Sequence, residues 1–354
     1  MGSDPEEGDS ATEGVGHEPV LLAEVLAALD LRPGDTAADL TLGRGGHALP
    51  MLEAVGVSGR LVGFDRDAEN LAFAGRRLAA HAAVAPPPIE AIRPPDTSPP
   101  GPLRLIHADF AHAGEALRAR SIAADAVLAD LGVASTHFDD PARGFSFRFE
   151  GPLDMRLDRS RGATAAELLA SLPEDELARM IRLLGEEPLA ARIARKIACV
   201  RESAPISTTS ELAELVRAAY GPRAHRSRMH PATRTFMALR IAVNDELGSL
   251  QRLLASIEEA AAAIGRGEAS WLRPGARVAV ISFHSLEDRA VKRSFASLAE
   301  RGLVRLMGRR PAEASASEQD SNPRSRSAKL RVATVGAPFN PPSLESAWMP
   351  VHDA

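Results

Sequence analysis

The spacing of hydrophobic positions changes character partway along this chain. Up to about residue 131, short apolar runs at 36–40, 60–64, 103–107 and 126–131 alternate with stretches of helical period at 48–55 and 68–82. Runs of that length bounded by turn residues read as buried strands, and their alternation with helices implies a parallel sheet covered by helices. From about 164 to 220 the period is helical throughout, with Leu177, Met180, Ile181 and Leu184 on one face. Thr164 with Glu167, and Thr208 with Glu211, have capping-box spacing, in which each side chain satisfies a free backbone N–H. One long helix is expected over 232–264. A strand at 277–283, a helix at 286–300 and a strand pair at 303–306 and 330–335 follow. The pattern therefore predicts an α/β sheet that is discontinuous in sequence, with a helical block inserted after its fourth strand. Residues 86–102 are proline-rich and without apolar period, and read as a surface excursion lacking a core. Residues 313–327 read as a flexible polar loop.

A length of 354 residues leaves room for two cores. The single cysteine, Cys199, excludes a disulfide framework or a CxxC metal site within the chain and fits a reducing compartment. It lies in a helix-like apolar run and is expected to be buried packing, not a nucleophile. Residues 1–16 are acidic and rich in Gly, Ser and Glu. They lack the basic start and apolar core of a signal peptide and are expected to form a disordered tail. No apolar run reaches the ~18 residues of a membrane span, so the expected location is cytoplasmic.

The net charge of −5 does not mark a nucleic-acid binder, but its distribution is uneven. Arg217, Arg223, Arg226, Arg228, Arg234 and Arg240 occur with His225 and His230 and no intervening acid. Arginine's planar fork suits phosphate oxygens. A second basic stretch runs from Arg301 to Arg331. Both compete with a plainer reading, since this chain uses Arg almost everywhere that Lys could serve.

The richest chemistry lies near the front, in Asp39-Leu40-Thr41-Leu42-Gly43-Arg44-Gly45-Gly46-His47. This turn joins a strand to a helix, and the next strand ends in Asp65. Glycines let a backbone approach a ligand closely, and an acid ending the second strand can accept hydrogen bonds from ribose hydroxyls. Asp65 follows Gly46 at close to the ~20-residue interval of nucleotide-binding βαβ units. The chain has neither G-x-G-x-x-G at this turn nor a Walker-type phosphate loop. An acid at Asp39 before the glycines suits a ligand with a cationic amino-acid end, such as S-adenosylmethionine. A tight turn with Asp65 capping the next helix remains the plain alternative. Ligands of open α/β sheets lie at the carboxyl ends of the strands, where Asp39, Asp65, Asp109, Phe110, Asp130 and His284 are all expected. No His/Asp cluster has metal-ligand spacing, so no metal is expected.

Eight motifs in order carry a family resemblance. They are Thr41–His47 (TLGRGGH), Phe64–Asp67 (FDRD), Asp130–Val133 (DLGV), Arg143–Phe147 (RGFSF), Gly151–Arg156 (GPLDMR), His230–Phe236 (HPATRTF), Ser282–Arg289 (SFHSLEDR) and Asn322–Arg326 (NPRSR). Together they resemble the RsmH family, also called MraW, from about His17 to Val335. Members of that family methylate the exocyclic N4 of a cytidine in the decoding centre of bacterial 16S ribosomal RNA. The resemblance implies a class I (Rossmann-like) S-adenosylmethionine-dependent methyltransferase sheet with an inserted all-helical domain. It divides the chain into a methyltransferase domain at 17–138 and 232–340, a helical substrate-recognition insert at 139–231, and tails at 1–16 and 341–354.

Carried over residue by residue, the resemblance implies cofactor contacts at Gly45, Gly46, His47, Asp65, Phe110, Asp130 and His137. The His137 position is usually glutamine in the family, and Ala134-Ser135-Thr136-His137 replaces the usual Ser-Ser-Pro-Gln. Many amino methyltransferases accept the amine's hydrogen bond with an Asp/Asn-Pro-Pro-aromatic motif. Here Asp130-Leu131-Gly132-Val133 stands in its place, leaving Asp130, a neighbouring carbonyl, or Asp154 from the insert as the acceptor. His284 reads either as lining of the base pocket or as a structural histidine. The implied partner is 16S ribosomal RNA or the small ribosomal subunit, with a homodimer kept open. Two other readings compete: an RNA-binding protein with a vestigial nucleotide fold, and an amino methyltransferase acting on another nucleic acid.

Overall fold

The computed structural model describes residues 19–93, 101–226 and 229–336, apart from the side chains of Ser135, His225 and Arg226. The tails expected at 1–16 and 341–354, and Arg228 of the basic cluster, lie outside the described residues. Eight strands form one sheet: β1 Thr36–Asp39, β2 Arg60–Asp65, β3 Ile89–Glu90, β4 Leu103–His107, β5 Ala124–Asp130, β6 Leu272–Ser282, β7 Val304–Leu306 and β8 Lys329–Val335. Their order is β3-β4-β2-β1-β5-β6-β8-β7, with β8 antiparallel to both neighbours and every other pair parallel. From β4 to β7 this is the class I methyltransferase sheet, whose strand order reverses between β1 and β5.

Period-two alternation builds a core on each face. Leu61, Leu105, Leu128 and Ala279 pack with the helices Leu22–Leu29 and Ala68–His81 on one side. Val62, Ile106, Val127 and Val280 pack with Glu246–Gly265 and Ser285–Glu300 on the other. A third core, centred on Phe145, Met155, Ile181, Ile193, Leu212 and Phe236, belongs to the helices that follow β5. Both expected capping boxes are present, at Thr164 and at Thr208. Among the described residues, no helix is long and apolar enough to cross a membrane.

Four expectations need correction. The helix expected over 232–264 is two helices, Thr233–Val243 and Glu246–Gly265. Asn244 turns its side chain onto the Met155 carbonyl, and Asp245 takes a left-handed φ of 47° that ends helical continuity. The first of the two helices supplies Phe236 and Leu239 to the third core, so it packs with the inserted helices. Residues 313–327 form the helix Ala316–Ser321 and a 3₁₀ turn, and Glu318 Oε1 accepts the Leu21 N–H at 2.8 Å. Cys199 is exposed, because the buried face of its helix is carried by Ile193, Ala194 and Ile197.

The fourth correction concerns 86–102. Ile89 and Glu90 extend the sheet beside β4, and Glu90 is buried. Its carboxylate pairs with Arg104 at 3.1 Å and Arg120 at 2.9 Å, which clamps this short strand to the core, while residues 86, 88, 89, 91 and 93 are exposed as expected and 94–100 lie outside the described residues. Removing the acid strands buried guanidinium charge, at a cost of about 3 kcal/mol. Glu90→Gln should therefore lower the urea midpoint of unfolding by a corresponding amount. An unchanged midpoint would mean that this ion pair does not anchor the segment.

Candidate active site

The glycine turn is held by the acid that follows it across the sheet. Asp65 Oδ2 accepts the Gly43 N–H at 2.7 Å and Oδ1 accepts the Asp67 N–H at 2.8 Å. Each oxygen keeps a lone pair for another donor. Gly43 and Gly45 have φ of 52° and 79°, which glycine adopts without the Cβ penalty. Gly46 has a different reason to be glycine. A Cβ there would lie 2.9 Å from Pro19 Cγ, so the missing methyl makes room for the N-terminal segment. The same segment engages His47, whose Nε2 donates to the Val20 carbonyl at 2.9 Å.

Asp39, Asp65 and Asp130 stand at the carboxyl ends of the adjacent strands β1, β2 and β5. Among the described residues, none of the three pairs with an Arg or Lys. Burial pushes Asp39 and Asp130 up to about 7, and pushes Asp65 above the usual carboxylate range. Glu287 also raises Asp130. Backbone N–H groups bonded to Asp39 and Asp65 oppose the rise, as does His47 beside Asp39. Burial likewise holds His47 below the usual imidazole range. The three carboxyls thus form a patch where a positive ligand would relieve an electrostatic cost.

Asp130 stands at the centre of the arrangement. Its backbone N–H donates to Thr41 Oγ1 at 2.7 Å, and Oδ2 lies 3.6 Å from His47 Nδ1. Its Oδ1 is buried and has no hydrogen-bond partner. A buried oxygen left unpaired costs free energy, and it marks a place where a donor belongs. His137 has a similar orphan. Its Nε2 donates to Asp67 Oδ2 at 2.9 Å, while its Nδ1 is buried without a partner. Phe110 opens the 3₁₀ turn after β4, capped by Asp109, and packs half-buried against the core. The structure thus brings Gly45, Gly46, His47, Asp65 and Asp130 around the ends of β1, β2 and β5, with His137 reaching the loop after β2.

Three other candidates are occupied elsewhere. Asp154 forms a two-point pair with Arg156, at 2.7 Å and 3.0 Å, which holds its carboxyl below the usual range and makes it a weaker proton acceptor than Asp130. His284 caps the helix Ser285–Glu300, with Nδ1 on the Glu287 N–H and Nε2 3.2 Å from Glu287 Oε1. Arg240, expected among the phosphate-binding arginines, instead grips Glu246 through two 2.8 Å hydrogen bonds. Ligand atoms of Glu246, His284 and Glu287 lie within 4.8 Å of one another. Sequence spacing did not reveal this group, because the residues meet only through the fold. Arg240 already occupies both Glu246 oxygens, and Glu287 Oε2 accepts the Phe283 N–H at 2.9 Å.

The acid of the FDRD motif and the arginine of the RGFSF motif meet in a buried network with His137. Asp67 Oδ2 binds His137 at 2.9 Å and Arg143 at 2.8 Å, while Oδ1 caps the helix Ala68–His81. Burial alone would raise this carboxyl, but the His137 hydrogen bond and the Arg143 guanidinium hold it at about 2. An acid just before a helix is an N-cap signal, which could have singled it out.

A relative from Symbiobacterium thermophilum, named ribosomal RNA small subunit methyltransferase H, is 43% identical over 333 residues, 89% of this chain and 95% of its own. A second with that name, from Syntrophotalea carbinolica, is 45% identical over 89% of this chain and 96% of its own. A third, from Geotalea uraniireducens, is 43% identical over 90% of this chain and 97% of its own. The model of the MraW methylase family matches residues 14–335, the whole sheet and all of the inserted helices, and the chain belongs to that family.

Proposed function

We propose that this chain transfers a methyl group from S-adenosylmethionine to the exocyclic N4 of a cytidine in 16S ribosomal RNA. The observation that carries the reading is the unpaired, buried Asp130 Oδ1 at the end of β5, amid strand-end carboxyls that no Arg or Lys neutralises among the described residues. Family membership narrows the chemistry to methylation, and the relatives' names narrow the substrate class to ribosomal RNA. A ribosomal RNA substrate supports a cytoplasmic location as part of this reading.

The residues present fit the cofactor. It carries a ribose, an ammonium and a sulfonium. Asp65 has lone pairs left for ribose hydroxyls, and His137 Nδ1 offers a further buried contact. The carboxyls of Asp39 and Asp130 favour positive charge, while Gly45, Gly46, His47 and Phe110 shape the adjacent wall. When bound, the cofactor supplies a methyl group on a good leaving group. The protein must then hold the amine in line, which supplies much of the rate. The amine's lone pair is delocalised into the ring, and accepting one of its hydrogens lets the nitrogen become pyramidal. Asp130 Oδ1 is assigned that role and takes the released proton as the new carbon–nitrogen bond forms. The inserted helices, with exposed Arg217 and Arg223 near their exit, are assigned to RNA recognition.

The direct test incubates the purified chain with S-adenosylmethionine and small ribosomal subunits from cells lacking the activity, then maps nucleosides by mass spectrometry. N4-methylated cytidine at one position is expected. Its absence from both subunits and naked RNA would overturn the reading.

Two substitutions test the site. Asp65→Ala should weaken cofactor binding by about 1.5–3 kcal/mol, the scale of a hydrogen bond to a charged group. Unchanged affinity by calorimetry would remove Asp65 from the site. Asp130→Asn should abolish methyl transfer in single-turnover assays. In the wild type the acceptor must be ionised, so the rate should fall as pH drops through the Asp130 pKa, about 7 in the free protein. A bound cation lowers that value, so the inflection should lie at or below about 7. A pH-independent rate between about 5 and 8 would argue for a backbone carbonyl instead.

A further inference from the structure

The inserted helices have their own apolar core, so their orientation on the sheet depends on what binds where the chain crosses between the two bodies. One crossing leaves after Asp130 and passes through His137 and Arg143. The other returns through Asn244. Both are tied to the same dipeptide, Arg66–Asp67, directly after Asp65. Asp67 Oδ2 holds His137 and Arg143 at 2.9 Å and 2.8 Å. Arg66 Nη1 donates to the Asn244 carbonyl at 2.5 Å and lies 3.3 Å from Asp109 Oδ2. Asp109 in turn accepts from Ser249 Oγ at 2.6 Å.

The far side of the joint converges as well. Arg143 donates to the carbonyls of Arg156 and Leu157 at 3.2 Å and 3.0 Å. Asn244 donates to the Met155 carbonyl at 2.7 Å and accepts from the Leu157 N–H at 2.8 Å. One short stretch of the insert, residues 155–157, is therefore gripped from both crossings. Met155 holds a φ of 64° there, a strained backbone for a residue with a Cβ, and the two grips keep it in place. Asp67 is also bonded through its own N–H to Asp65 Oδ1 at 2.8 Å.

We propose that Arg66 and Asp67 are positioning residues that couple the cofactor site to the helical insert, so that cofactor and RNA each strengthen the other's binding. This rests on the reading of the insert as the RNA-binding body. A ligand hydrogen-bonded to Asp65 fixes the carboxylate that holds Asp67 N–H. Asp67 passes that constraint to Arg143 and residues 155–157, and Arg66 passes it to Asn244. The insert is then presented in one orientation when the cofactor site is filled.

The test measures RNA affinity by fluorescence anisotropy or filter binding, with and without saturating S-adenosylhomocysteine. The wild type should bind small-subunit RNA at least about 5-fold more tightly with the analogue present, the lower end of usual allosteric coupling. By reciprocity, RNA should tighten analogue binding by the same factor. Arg143→Gln should bring the ratio close to 1, Arg143→Lys should restore part of it, and Asn244→Ala should reduce it through the other crossing. Tight RNA binding with a wild-type ratio near 1 would overturn the coupling while leaving the proposed function standing. So would an Arg143→Gln protein that kept the full ratio. Absence of RNA binding in both conditions would overturn the proposed function and the coupling together.

Discussion

The Asp67 carboxylate is the interaction on which the arrangement of the rest depends. Burying a charge is costly unless it is paired and hydrogen-bonded, and Asp67 is only 5% exposed. Its oxygens meet two side chains from the strand-to-insert crossing and two backbone N–H groups of the helix that follows β2. A carboxyl held at about 2 contributes stability that is present above the ordinary aspartate range and lost as pH falls toward 2. The contribution is not transferable to a neutral side chain. Without Asp67, Arg143 would lose its carboxylate while only 4% exposed, and an uncompensated buried guanidinium is among the larger penalties known.

This joint also explains which parts of the molecule could be read from sequence. Strands β1, β2, β4, β5 and β6 announce themselves because parallel strands buried on both faces must be apolar throughout. The glycine turn and Asp65 were legible because backbone conformation demands particular residue types there. The helix break at Asn244 was not. Both flanking segments have good helical period, and the break comes from a side chain bonded to Met155, 89 residues away in sequence. Strand β3 was hidden by the prolines that precede it and by its two-residue length, and its anchor is a long-range ion pair with no local signature. Cys199 misled because an apolar composition does not say which side of a helix faces inward.

The site residues divide along the same line. Asp130 was placed by its strand, but its unpaired Oδ1 is visible only when every neighbour is accounted for. Asp154 looked equivalent on paper. The fold gives its two oxygens to Arg156, which holds the carboxyl below its ordinary value against the opposing effect of burial. Two aspartates of one chain thus stand on opposite sides of the ordinary range because one has an arginine partner and the other does not.

That contrast gives the strand-end acids their meaning. A stability-driven sequence would neutralise Asp39 and Asp130, since burial holds both near 7 and ionising them at higher pH works against the fold. Arginine is abundant in this chain, and it does reach the neighbouring acids: Arg66 lies beside Asp109, Arg143 beside Asp67 and Arg240 beside Glu246. The arginines therefore fasten the loops beside the strand ends and, among the described residues, leave the carboxyls of Asp39, Asp65 and Asp130 without a cationic side-chain partner of that kind. Strain of this kind persists where a bound partner relieves it. A ligand bringing positive charge to β1 and β5 would relieve it directly, and a ligand hydrogen-bonded to Asp65 would engage the loop from which Asp67 and Arg66 hold the insert.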